Sequence, residues 1–118
     1  MGLEEFKNAL QNTREVELTV TGRKSGRESS RPVWFVEEGG KLFLLPVTGS
    51  DSNWYKNVQK TPTIRLAADG ADLQTDAKPI DDPAAVRAVV DRFRDRYGAD
   101  QVAAYYPKTD AAVEVPLS

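Results

Sequence analysis

The chain has 118 residues and a formal net charge of −2, with 40% hydrophobic and 29% charged residues. This is an ordinary composition for one buried core, and it carries no global field that would draw nucleic acid or an anionic membrane surface. Cys and His are both absent, which excludes disulfides, thiolate nucleophiles, Ser-His-Asp triads and most transition-metal sites, so no metal is expected.

Residues 1–12 read as a short amphipathic helix, with Leu3, Phe6 and Leu10 at helical spacing and Glu4 and Glu5 in the first turn. A first strand is expected over about 15–21 and a second over about 29–38, ending at the Gly39-Gly40 reversal. Between them lies the tight basic turn Thr21-Gly22-Arg23-Lys24-Ser25-Gly26-Arg27. Lys41 to Val47 is almost continuously apolar, the pattern of a strand covered on both faces. A loop rich in helix N-cap residues leads into a helix over 51–60, which Pro62 stops. Thr63 to Ala67 alternates as a strand, Asp69-Gly70 reverses the chain, and Asp72 to Ile80 returns as a single strand.

Asp82 and Pro83 open a helical segment over 82–106, with Asp82 as N-cap and Pro83 at the first position. Val86, Val89, Val90, Phe93 and Tyr97 form its apolar stripe, Gly98 ends its longer helix, and the outer charges are expected to pair, Arg87 with Asp91 for example. A last strand covers 110–117. These elements predict a mainly β fold: a six-stranded antiparallel split β-barrel with short helices at its ends, one domain over 1–118. Closure removes the exposed edges that an open sheet would leave. No run is apolar enough for a transmembrane helix or signal peptide, and the expected location is cytoplasmic.

Three groups of residues could carry chemistry. In the basic turn, Gly22 and Gly26 let the backbone bend, Arg23 and Lys24 can pair with a phosphate, and Ser25 offers a hydroxyl. A Walker loop is ruled out, because the pattern is absent and no helix follows. The same turn reads equally as a solubilising hairpin tip. Trp54 and Asn57 share one helical face, where an indole could support a flat ring and an amide bond its polar edge. The alternative is a Trp that anchors the helix to the core. Tyr105 and Tyr106 are the neutral side chains able to donate a proton, or they pack structurally.

The run ELTVTGRKSGRESSRPVWFV, followed by GGKLFLLPVTGSDSNWYKNVQKTPTIRL, resembles the deazaflavin-dependent nitroreductase family of small split β-barrels. Two motifs carry the likeness, Thr-x-Gly-Arg-Lys-Ser-Gly and Trp-Tyr-x-Asn, in this order over about residues 15–68. The resemblance implies a flavin-mononucleotide-binding-like fold, coenzyme F420 as cofactor, with FMN as the alternative, and a small-molecule hydride acceptor such as a quinone, enone or nitro compound. It implies that Arg23, Lys24, Ser25 and Gly26 hold the phosphate-bearing tail, that the Pro46, Val47, Thr48 loop faces the ring, and that Trp54 and Asn57 line it. Tyr105 and Tyr106 would shape the substrate side, and the assembly would be a homodimer; the net charge of −2 separately speaks against a nucleic-acid partner. A non-catalytic carrier of the same ligand is the remaining alternative.

Overall fold

Strand alternation divides the apolar residues between two cores. In the computed structural model, which describes residues 2–11 and 13–117 and the side chains from Glu4 onward, the order is α1 (Gly2–Leu10), β1 (Glu15–Thr21), β2 (Glu28–Glu38), β3 (Lys41–Leu44), a 3-10 turn (Gly49–Asp51) and α2 (Asn53–Lys60). Then come β4 (Thr63–Ala68), β5 (Ala71–Asp76), β6 (Lys78–Ile80), α3 (Pro83–Tyr97), α4 (Ala99–Tyr105) and β7 (Ala112–Pro116). Phe6 and Leu10 of α1 are buried, as their spacing predicts; the Leu3 side chain lies outside the described residues. No described helix is long and apolar enough to cross a membrane.

The strands form one curled antiparallel sheet in the order β5-β4-β1-β2-β3-β7-β6. Two devices curl it. Residues 28–34 of β2 pair with β1 and residues 35–38 with β3, so the strand changes partner between Trp34 and Phe35. The expected single return strand over 72–80 is instead two: β5 pairs with β4, Ala77 steps aside to donate its N–H to the Pro62 carbonyl at 2.8 Å, and β6 pairs with β7. Seven strands therefore replace the expected six. The chain crosses at Ala77 from one edge of the sheet order to the other, which is how the split barrel is joined.

The inward face holds Phe35, Leu42, Leu44, Leu66, Val113 and Val115 together with Trp54 and Tyr55 of α2. The opposite face of β2, β3 and β7 meets α3 and α4 through Trp34, Val36, Phe43, Leu45 and Ala112. Adjacent residues such as Leu44 and Leu45 thus enter different cores, which explains the near-continuous apolar run. β3 ends at Leu44, before the expected Val47, because Pro46 begins a turn in which its carbonyl accepts from Gly49 N–H at 3.0 Å.

Helix α3 follows its sequence signals. The Asp82 carboxylate accepts from Ala85 N–H at 3.0 Å, Pro83 occupies the first turn, and the whole apolar stripe from Val86 to Tyr97 is buried. The outer charges pair differently from expectation: Asp91 accepts from Arg94 at 3.1 Å, and Arg92 pairs with Glu38 across the fold. The i,i+3 direction puts the cation nearer the helix C-terminus, where the dipole favours it. Tyr97 closes the junction of the two half-sheets. Its hydroxyl lies 2.7 Å from the Arg14 and Phe35 carbonyls and accepts from Phe35 N–H at 3.2 Å.

Candidate functional site

The basic turn folds on itself before it can meet anything else. Gly22 N–H donates to the Arg27 carbonyl at 2.7 Å, Gly26 N–H to the Gly22 carbonyl at 2.9 Å, and Arg27 N–H to Ser25 Oγ at 3.2 Å. Gly26 has φ +73°, a conformation that glycine adopts freely. Arg23 ties this turn to α2: its N–H donates to Asn57 Oδ1 at 3.1 Å, and its Nη1 donates to Asn57 Oδ1 at 2.8 Å and to the Asn53 carbonyl at 3.3 Å. Asn57 is buried, so its amide oxygen is an internal anchor for the turn. Lys24 and Arg27 are exposed, and neither has an ion-pair partner among the described residues.

The loop before α2 is held from the far end of the chain. Ser50 donates to Asp110 through its N–H at 2.8 Å and its hydroxyl at 2.6 Å, and Lys108 pairs with Asp51 at 2.8 Å. The Ser50 hydroxyl and N–H hold the Asp110 carboxyl below its usual range. Gly49, at φ +60°, lies so close to Asp110 that a Cβ there would overlap its carboxylate. Pro46 and Gly49 are buried inside this loop, whereas Val47 and Thr48 face outward.

Val47 lines a recess of about 90 Å³ with Pro32, Trp34, Leu45, Tyr105 and Tyr106. Trp34 stacks on Tyr97 with ring centroids 4.2 Å apart and meets Tyr105 edge-on at 4.6 Å. Tyr105 and Val47 are the exposed large hydrophobic residues of the described chain, at 53% and 45%. Tyr106 is 6% exposed, and burial, reinforced by Tyr97 and Tyr105, pushes its hydroxyl pKa far up. It therefore stays neutral and keeps its O–H across the physiological range.

The structure thus joins the sequence-selected residues in two sets. Arg23 alone of the turn's selected residues bonds Asn57, with Lys24, Ser25 and Gly26 following it in the same turn; Val47 lines a recess with Tyr105 and Tyr106. Trp54 joins neither, being 2% exposed within the barrel core. Trp34 is the aromatic residue that the sequence reading passed over. Its signal was the alternation of β2, which turns Trp34 and Val36 to the outer face while Val33 and Phe35 enter the barrel.

A family model described as an uncharacterized protein conserved in bacteria (DUF2255) matches residues 7–115. The chain belongs to the DUF2255 family. Solved structures give this DUF2255 chain its fold relatives. It matches an F420-H2 dependent reductase (FDR-A) at 23% identity and TM-score 0.66, over 86% of this chain and 93% of that one. The heme storage protein HutZ from Vibrio cholerae matches at 16% identity and TM-score 0.71, over 98% and 89%. A domain-swapped dimer matches at 26% identity and TM-score 0.66, over 95% and 94%. The family is accordingly DUF2255, and the likeness to the deazaflavin protein is one of fold: a mainly β split barrel.

Proposed function

We propose that the protein binds coenzyme F420, a phosphorylated deazaflavin, and acts as an oxidoreductase toward an electron-poor conjugated small molecule such as a quinone, enone or nitro compound. The observation that supports this reading is the convergence of Val47 and Tyr105, the exposed large hydrophobic residues of the described chain, on one aromatic recess. Nearby in the chain, α2 carries the turn whose cations Lys24 and Arg27 are unpaired among the described residues. An exposed apolar patch with a charged turn suits a ligand that has a flat ring and an anionic tail. The likeness in fold to an F420-H2 dependent reductase supports the choice of ring.

The residues fit the anionic end. Lys24 and Arg27 have no ion-pair partner among the described residues, and Arg23 uses only Nη1 toward α2, which leaves Nε and Nη2 for a phosphate. At the ring end the recess holds about 90 Å³, well under the roughly 300 Å³ of a small-molecule pocket. A tricyclic ring therefore suits the mouth of the recess, against Val47 and Tyr105, and not its interior. When bound, the reduced deazaflavin supplies a hydride, and a proton from water completes the reduced acceptor. The chain's own part is binding, orientation and exclusion of water. Trp34, Val47 and Tyr105 supply the apolar surface, and Tyr106 offers a neutral O–H donor at its edge.

A second reading, flavin mononucleotide on the same surface, draws on the compactness of the cationic set, since one turn suits a single terminal phosphate. A homodimer is the proposed assembly, supported by the 26% identical domain-swapped dimer and by residues 28–34 of β2, which pair on one side only, with β1. Fluorescence titration with each cofactor tests the reading. Micromolar binding of F420 alone supports it, binding of flavin mononucleotide alone favours the second reading, and binding of neither overturns both. Turnover of menadione with reduced F420 then separates an enzyme from a carrier.

A further inference from the structure

A cleft of about 660 Å³ opens beside α3; none of its lining residues belongs to the basic turn or to the aromatic recess, so it is independent of the cofactor reading. Its size lies inside the range of about 300–1,000 Å³ that small-molecule sites occupy. Exposed Pro83 gives it an apolar wall, with the buried Val86 and Val90 beneath, and four charged residues line it: Asp81, Arg87, Arg94 and Asp110. These charges are not equivalent. Both Asp110 carboxylate oxygens accept from Ser50, with Lys108 Nζ 3.8 Å away. Arg94 is engaged with Asp91 at 3.1 Å. That leaves one anion and one cation, Asp81 and Arg87, neither of which has an ion-pair partner among the described residues.

We propose that this cleft binds a small zwitterion of the amino-acid class with an apolar side chain. The Arg87 guanidinium receives the carboxylate in its planar fork. Asp81 receives the ammonium, and the apolar side chain lies against Pro83. A simple carboxylate would leave Asp81 opposing it, and a simple amine would leave Arg87 without a partner. Only a ligand that carries both charges answers both residues.

The test is a ¹⁹F NMR titration of the full chain with 4-fluoro-L-phenylalanine. Two controls each lack one charge: 4-fluorophenylacetate has no ammonium, and 4-fluorophenethylamine has no carboxylate. The zwitterion is expected to bind saturably and about tenfold more tightly than either control, the effect of one charge-assisted pair. Arg87→Gln and Asp81→Asn are each expected to weaken it about tenfold. Both residues are exposed, so unchanged circular dichroism and melting temperature show that the variants fold. Absence of saturable binding, equal affinity for the three compounds, or unchanged affinity in both variants would overturn the proposal. The cofactor titration is read separately, so either result stands without the other.

Discussion

The chain's two tryptophans occupy opposite sides of the same sheet. Trp54, on α2, is 2% exposed and sits in the barrel core with Tyr55 and Val58. Trp34, on β2, is half-buried on the outer side, stacked on Tyr97 and lining the recess. Helical spacing correctly grouped Trp54 with Asn57, and both are buried. Spacing reports which residues share a face, and burial decides what that face can do. Here the shared face anchors the helix through Trp54 and the basic turn through Asn57. The part-exposed tryptophan surface belongs to Trp34.

The largest expected effect breaks the comparison directly. Trp54→Ala should cost about 3–5 kcal/mol of stability in urea denaturation, as for a large aromatic removed from a core. Trp34→Ala should cost less than half of that, and equal losses would erase the distinction between the two sites. Lys24→Ala should leave stability unchanged and weaken F420 binding by about 1.5–3 kcal/mol, read by fluorescence titration, if the exposed ammonium meets the phosphate. Asn57→Ala should cost about 1–3 kcal/mol of stability by removing the acceptor for the Arg23 N–H and guanidinium.

Smaller effects follow from ionisation. The Tyr106 hydroxyl titrates from an ordinary value of 10.0 in the unfolded chain and well above it in the fold. Its contribution is therefore complete below pH 10.0 and is lost as pH rises toward the folded value. Thermal melts from pH 8 upward should show this loss, and Tyr106→Phe should reduce it. Tyr55, raised first by burial and then by Asp81 and Asp110, acts in the same direction. Asp110 has the opposite sign. Its pKa is depressed from 3.8 mainly by Ser50, so its contribution is present above that value and is lost as pH falls through the folded value. Asp110→Asn should make the acid limb of the same melts shallower.

Much of the architecture was legible in local chemistry. Asp82, Pro83 and Gly98 marked α3, and the stripe from Val86 to Tyr97 named its buried face. Glycine pairs and Asp69-Gly70 marked the reversals. The break at Ala77 was not legible, because nothing in the run from Asp72 to Ile80 says that two halves of it pair with different strands. The clasp between Ser50 and Asp110 joins residues far apart in the chain, so no window of sequence contains it. The recess was half legible: Val47, Tyr105 and Tyr106 stood out, whereas the place of Trp34 depended on which helices cover the outer face of β2.

The most direct measurement of the central claim uses two single-tryptophan variants under acrylamide quenching, with and without F420. In Trp54→Phe, the remaining Trp34 should be readily quenched and become protected when the cofactor binds. In Trp34→Phe, the remaining Trp54 should resist quenching in both conditions. Protection of Trp54 on binding, with Trp34 unaffected, would contradict the account.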